Sequence, residues 1–264
     1  MADNAVASRW ANGEPAIAAW MSTHSLLIAQ AMAASGADAV IVDMQHGSMT
    51  IDDALGLIAS IELRGAEPIV RVPAIDGGLI GRLLDLGATG IIAPLVESAS
   101  QAQELVDAMR YPPLGRRSYG PRVPAIRFGP NYAKTAGDEV IALAMIETKA
   151  GIAALHEIAS VDGLTGVFIG PSDLAMSLGF PPPNIIMPDA VADAIEAIRA
   201  TVHANGKRAG IFSGSIDAGT AAIEGGFDLV SVPPDLALVD SATRANVRSM
   251  RQALRHQVTK TGIS

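Results

Sequence analysis

Short apolar runs alternate with longer helix-like stretches from one end of this chain to the other, and no other feature restricts the fold as strongly. Runs of this kind, separated by segments of helical period, favour βα units and a parallel sheet over a sandwich of hairpins. The pattern predicts eight strands, at 16–20, 39–44, 68–72, 90–96, 140–148, 166–169, 208–212 and 227–232. Helical patterns lie between them, among others at 79–86, 102–110, 190–204 and 218–224. Several end in a glycine stop that leads into a strand: Gly36, Gly87, Gly206 and the pair Gly225-Gly226. A repeated helix–glycine–strand joint is what an α/β chain needs to close as a (β/α)8 TIM barrel.

At 264 residues the chain has a length that such barrels commonly reach as one domain, and residues 1–264 are read as one. Hydrophobic residues make up 49% of it but aromatics only 4%, so small and branched aliphatics must fill the core, as in parallel α/β folds. The net charge of −8 argues against a nucleic-acid footprint, which is usually basic. With no cysteine, disulfides, thiolate nucleophiles and cysteine-bound zinc all drop out. No run approaches the roughly 20 apolar residues of a membrane helix, and no signal peptide is evident. A soluble, cytoplasmic protein without nucleic-acid or membrane partners is therefore expected.

Two segments break the rhythm. Residues 111–132 (YPPLGRRSYGPRVPAIRFGPNY) are long, rich in Pro and Gly, and carry Arg116, Arg117, Arg122 and Arg127. Loops of that length inside a compact domain are usually functional or disordered, and the aromatic content speaks against disorder. The second is 170–188, with its Pro181-Pro182-Pro183 run. A final helical segment, 236–258, exceeds what one closing helix needs, so part of it is expected to reach a neighbouring subunit.

The polar residues that end the apolar runs are the candidates for chemistry, because a parallel barrel keeps its chemistry at the carboxyl ends of its strands. Glu147 and Asp173 follow the fifth and sixth strands. Two carboxylates without cysteine or a paired-histidine motif suit a hard ion, Mg²⁺ or Mn²⁺, with positions left for water and substrate. Each alone is as easily a helix cap or an Asx-turn residue. Asp43 and His46 stand three apart beyond the second strand, where a turn brings the carboxylate to one imidazole nitrogen and frees the other as a general base. Arg71 falls inside PIVRVP, a strand buried on both faces. A charge there needs the barrel mouth or a partner, and its fork of donors suits an oxyanion. Ser172 and Asp173, after Gly170, offer backbone N–H groups at a strand-to-helix turn, a place to hold a carboxylate. Glu97 reads as a helix cap or a supporting residue. His24, His156, His203 and His256 fall in helix-like segments and read as structural or surface residues.

These residues sit in stretches that resemble the HpcH/HpaI aldolases, the metal-dependent (class II) pyruvate aldolases, over nearly the full length of the chain. The stretches are VIVDMQHG (40–47), PIVRVP (68–73), LLDLGATGIIAPLVESA (83–99), RYPPLGRRSYGP (110–121), MIET (145–148) and GVFIGPSDLA (166–175). Within the family the chain looks closest to the hydroxy-ketoacid aldolases. The resemblance implies a barrel whose last helix is swapped between partners, in a homo-hexamer built as a trimer of dimers. It implies Glu147 and Asp173 as ligands of Mg²⁺, Mn²⁺ or Co²⁺, and Arg71 at the keto or enolate oxygen. It further implies the Ser172–Asp173 backbone at the pyruvate carboxylate, and Asp43 with His46 as the proton-transfer pair. The chain departs from many members at Gln45, where they carry Glu, and at Met145, where they carry Gln.

The expected reaction is reversible cleavage of 4-hydroxy-2-keto acids to pyruvate (or hydroxypyruvate) and an aldehyde. It needs a base for the C4 hydroxyl, either His46 or water on the ion, and a sink for the enolate. One rival is a Schiff-base aldolase, for which the chain offers only Lys134, Lys149, Lys207 and Lys260. A second is a citrate-lyase-like enzyme acting on acyl-CoA thioesters, with Arg116, Arg117, Arg122 and Arg127 available to CoA, although a role for that loop at a neighbouring active site is the stronger expectation. A third is a barrel that only binds a keto acid.

Overall fold

The computed structural model describes residues 4–182 and 187–261, apart from the side chains of 138–139 and 256–261. Pro183 and the side chains of His256 and Lys260 therefore lie outside the described residues. Eight parallel strands close on themselves in chain order, from β1 to β8 and back to β1. They are β1 (Ala16–Met21), β2 (Ala39–Asp43), β3 (Glu67–Arg71), β4 (Gly90–Ala93), β5 (Ile141–Ile146), β6 (Gly166–Ile169), β7 (Arg208–Ile211) and β8 (Leu229–Ser231). This is the (β/α)8 barrel expected from the sequence.

Side chains alternate across each strand, and that period divides the apolar residues into two cores. Ala16, Ala18 and Trp20 of β1, Ile41 of β2, Ile69 of β3, Leu143 and Met145 of β5 and Phe168 of β6 fill the barrel interior. Their outward neighbours, such as Val40, Val42, Val70, Ala142, Ala144 and Val167, pack beneath the surrounding helices. Val6 and Trp10 of the helix Ala5–Ala11 complete the interior cluster. The Trp10 indole N–H donates to the Asp228 carbonyl, 2.7 Å away, just before β8, so this helix closes the amino-terminal end of the barrel.

The glycine stops behave as the sequence suggests. Gly36, Gly87, Gly206 and Gly226 hold φ of +93°, +105°, +69° and +86°, a conformation that ends a helix at little cost only without a Cβ. Five of the strands are shorter than predicted, most clearly β4, which stops at Ala93 rather than 96. Pro94 brings no N–H and Leu95 turns to φ +53°, which lifts the chain off the ladder.

The arginine-bearing segment 111–132 is not a structureless loop, for it contains the helix Arg122–Phe128. It runs from the helix Ala99–Met109 to the helix Tyr132–Glu139, which leads into β5, and this sets it at the amino-terminal end of the barrel. Arg116 pairs with Asp107 and Arg117 with Asp85, and Arg127 reaches the buried Glu67 at the foot of β3. Within one subunit, therefore, these residues face away from the carboxyl ends of the strands. The last helix, Asp235–Thr261, is longer than expected and carries exposed Val239, Val247, Met250 and Leu254. On the barrel flank, Ile17, Ile216, Ile223, Val230 and Val232 line an apolar groove of about 200 Å³.

Gly166 marks where the barrel tolerates no side chain, since a methyl there would overlap the Arg208 carbonyl of the adjoining β7. Gly166→Ala is expected to lower stability by about 1–3 kcal/mol, read from the shift of the urea midpoint.

Candidate active site

At the carboxyl end of the barrel lies a cleft of about 180 Å³, lined by His46, Arg71, Gly170, Ser172 and Asp173, with Met145, Pro171 and Phe212 as its apolar wall. Five of the residues singled out from sequence thus meet in one place. Asp43 and Glu147, each 2% exposed, lie buried at the ends of β2 and β5.

Arg71 ends β3 opposite Asp43, its register partner in β2. Its Nε donates to Asp43 Oδ1 at 2.8 Å and its Nη2 to Oδ2 at 2.5 Å. The pair is a side-on bidentate fork, which leaves Nη1 uncommitted toward the cleft. Trp20 supports both partners. Its indole N–H donates to Asp43 Oδ2 at 3.3 Å, and its ring lies 4.8 Å from the Arg71 guanidinium carbon. Phe212 meets the same indole edge-on at 4.9 Å. Burial pushes the Asp43 carboxyl up, but the hydrogen bonds and charge of Arg71, with the backbone N–H groups of His46 and Gln45, outweigh it and hold the group below the usual carboxylate range.

This arrangement corrects one expectation. Asp43 does not orient the His46 ring: its Oδ1 accepts the backbone N–H groups of Gln45 at 3.1 Å and His46 at 3.2 Å, and the rest of the carboxylate belongs to Arg71 and Trp20. A single carboxylate has too few lone pairs for the ring as well. Asp43 fixes the turn that carries His46, not the imidazole tautomer.

Glu147 follows β5, and its Oε1 accepts the Leu95 N–H at 2.9 Å. Leu95 is the one non-glycine residue with positive φ among those described. That strained backbone, which costs about 1–3 kcal/mol, aims an N–H at the carboxylate. Gly170 is equally specific, because a methyl there would overlap Glu147 Oε2 and come within 2.7 Å of Met145 Cε. Burial pushes the Glu147 carboxyl up; the Leu95 N–H opposes that, the Asp173 charge adds to it, and the net displacement is upward. Asp173 lies in the first turn of the helix Pro171–Leu178, which has no side-chain cap. Pro171 brings no N–H, so those of Ser172 and Asp173 are the open donors at that helix end.

Two carboxylates that repel each other across a cleft match a divalent cation, whose charge would remove the repulsion. No group of three or more His, Asp or Glu side chains is placed to hold a metal among the described residues. Such an ion would draw its remaining ligands from water and substrate, as Mg²⁺ commonly does.

The other candidates lie outside the chemistry. Glu97 is exposed, and the helix after it is capped by Ser98. His203 bonds Asp228 at 2.7 Å and Arg199 at 3.1 Å, a structural setting, and His156 is exposed. His24 departs from the sequence reading: it stands in the loop after β1, its Nδ1 3.1 Å from Ser48 Oγ. Lys207 donates to the Val161 and Leu164 carbonyls at the opposite end of the barrel, and Lys149 is exposed. Sequence reasoning missed Trp20 and Leu95. For Trp20 the signal was available, an aromatic at the third inward position after Ala16 and Ala18. Nothing in the sequence marks Leu95 as left-handed.

Breaking the ion pair from one side strands a buried charge. Arg71→Met is expected to cost about 3–5 kcal/mol at neutral pH, and Arg71→Met with Asp43→Leu should recover part of it. Because the folded-state pKa of Asp43 is depressed, the stability it contributes is present above the unfolded value of about 4 and lost as pH falls through the folded one. Urea titrations over a pH series should therefore show wild type and Arg71→Met converging in acid.

Comparison with known proteins places these features in a family. The model for HpcH/HpaI aldolase/citrate lyase matches residues 17–242. The hydroxypyruvate/pyruvate aldolase of Rhizorhabdus wittichii is 44% identical over 248 residues, covering 94% of this chain and 99% of that protein. A 2-keto-3-deoxy-L-rhamnonate aldolase of Klebsiella pneumoniae is 36% identical over 233 residues, 87% of this chain and 86% of its own. The crystal structure of an HpcH/HpaI aldolase/citrate lyase family protein from Burkholderia cenocepacia superposes with a TM-score of 0.86 at 31% identity, covering 94% of this chain and 99% of that one.

Proposed function

The chain belongs to the HpcH/HpaI aldolase/citrate lyase family, and from that membership we propose that it cleaves 4-hydroxy-2-keto acids to pyruvate or hydroxypyruvate and an aldehyde, reversibly, with Glu147 and Asp173 holding Mg²⁺, Mn²⁺ or Co²⁺. It is an aldolase, a carbon–carbon lyase. One observation carries the site assignment: Arg71 with an uncommitted Nη1, two mutually repelling carboxylates and the open N–H groups of Ser172 and Asp173 meet in one small cleft.

Each residue then has a task. The N–H groups of Ser172 and Asp173 receive the keto-acid carboxylate at a helix N-terminus, and Gly170 lets the substrate approach the backbone. Arg71 Nη1 donates to the C2 oxygen, where charge gathers as the C3–C4 bond breaks and its electron pair moves into the enolate. A preorganised donor of this kind contributes about 2.7–4 kcal/mol. Asp43 and Trp20 hold Arg71 so that little reorganisation accompanies the reaction. His46 takes the proton of the C4 hydroxyl as the aldehyde forms, C3 of the enolate then takes up a proton to give the keto acid, and both transfers run in reverse in the synthetic direction. Met145 and Phe212 keep water from the enolate. A divalent ion held by Glu147 and Asp173 would supply Lewis acidity toward the keto acid.

Both enzymatic rivals lose support. Among the described residues no lysine lines the cleft, and Arg116, Arg117 and Arg127 are paired at the far end of the barrel. The exposed apolar face of the helix Asp235–Thr261, beside an open apolar groove on the flank, supports exchange of this helix between subunits of a homo-hexamer.

A screen of 4-hydroxy-2-keto acids for pyruvate release tests the activity. Cleavage should vanish in EDTA and return with Mg²⁺, Mn²⁺ or Co²⁺, and Glu147→Gln and Asp173→Asn should each lower kcat/KM by about a hundredfold or more. Metal-independent cleavage with inactivation by borohydride plus pyruvate would overturn the assignment. For the assembly, Val247→Asp should move the light-scattering mass from about six chains toward the 27.1 kDa of one.

A further inference from the structure

Asp235 is the first residue of the long last helix, yet it is only 4% exposed. Its carboxylate is spent on the loop after β1. Oδ1 accepts the Ser22 N–H at 2.9 Å, and Oδ2 accepts the Thr23 N–H at 3.1 Å and the Thr23 hydroxyl at 2.7 Å. Its own helix adds the Leu236 N–H, at 2.9 Å from Oδ1. Four donors shared between two oxygens suit a carboxylate. A carboxamide has one acceptor oxygen and would turn its NH₂ toward donors on the other side.

The loop held in this way is itself stitched to the turn that carries His46. The Ser22 carbonyl accepts the Ser48 N–H at 2.9 Å, and the Ser48 hydroxyl also points at it at 3.4 Å. Gly47 is wedged between the two strand ends: a methyl there would overlap the Asp43 carbonyl and lie 3.0 Å from that of Ser22. The His46 ring has no hydrogen-bond partner among the described residues, so the position of the imidazole depends on this main-chain turn. Asp43 anchors the turn from below through the His46 N–H. Ser22 anchors it through Ser48.

We propose that Asp235 is a positioning residue for His46, acting through Ser22, Thr23 and Ser48. It ties the start of the helix that leaves the barrel to the turn that bears the proton acceptor. The proposal rests on the assignment of proton transfer to His46, and a double-mutant cycle on the full-length chain separates the two. With a cleaved 4-hydroxy-2-keto acid as substrate, Asp235→Asn should lower kcat about tenfold, since small misplacements of a reacting group cost one to two orders of magnitude. KM should change less than twofold, because Arg71, Ser172 and Asp173 are untouched. In the His46→Ala background the same substitution should cost less than about twofold, the coupling expected when one residue acts only through the other. Equal losses in both backgrounds would overturn the proposal and leave Asp235 as a stability element. An unchanged kcat in His46→Ala would overturn the proton-transfer assignment itself, and with it the premise here. Thr23→Val removes one donor with less risk to folding, and should give a smaller loss, about threefold, with the same dependence on His46.

Discussion

A guanidinium set over an indole ring and paired with a carboxylate that accepts the indole N–H, at the top of a closed barrel, is the interaction on which the rest of this site depends. Eight parallel strands turn alternate residues into one narrow interior, filled by Ala16, Ala18, Ile41, Ile69, Leu143 and Phe168. A charge at the last inward position of a strand is largely cut off from bulk water, as the 6% exposure of Arg71 shows, and cannot reach a helix outside. Arg71 is tolerable there because Asp43 stands opposite it in register and Trp20 supplies both an N–H and a ring face. The same pairing fixes the chemistry on offer. Two of the three guanidinium nitrogens are consumed, and one faces the cleft.

The mouth is then assembled by main-chain groups as much as by side chains. Asp43 holds the backbone of the His46 turn, Leu95 in a left-handed conformation turns its N–H onto Glu147, and Ser172 and Asp173 contribute the open end of a helix. Backbone donors carry no rotamer freedom, so an oxyanion or carboxylate placed against them meets a site already organised. Glycine at 170 and 47 is the corollary, since both positions lie where neighbouring backbone and carboxylate groups come too close for a Cβ.

Much of this was legible in the chain. All eight strands lie within three residues of their predicted limits, because a buried parallel strand is a run of branched aliphatics bounded by helix stops. The polar rim was legible for a related reason: Asp43, Arg71, Glu147 and Asp173 stood out as polar residues ending apolar runs, and the closed barrel brings the ends of those runs to one rim. What misled was local proximity. Asp43 and His46, three apart, looked like a hydrogen-bonded pair, whereas the carboxylate partner is 28 positions away in Arg71. The arginines of 111–132 could be offered to CoA on sequence alone, whereas within one subunit Arg116, Arg117 and Arg127 are paired at the foot of the barrel.

The amino-acid sequence by itself determined the alternation of strand and helix, the two-faced pattern that makes a closed barrel, and which residue types crown its strands. These follow from short-range physics: side-chain period, helix stops and the burial of aliphatic surface. Only the tertiary structure decided who partners whom. The Leu95–Glu147 contact spans 52 positions and the Asp235–Ser22 contact spans 213. Such contacts exist only once the barrel has closed and brought the ends of distant strands to one rim, where their polar groups must be satisfied by one another.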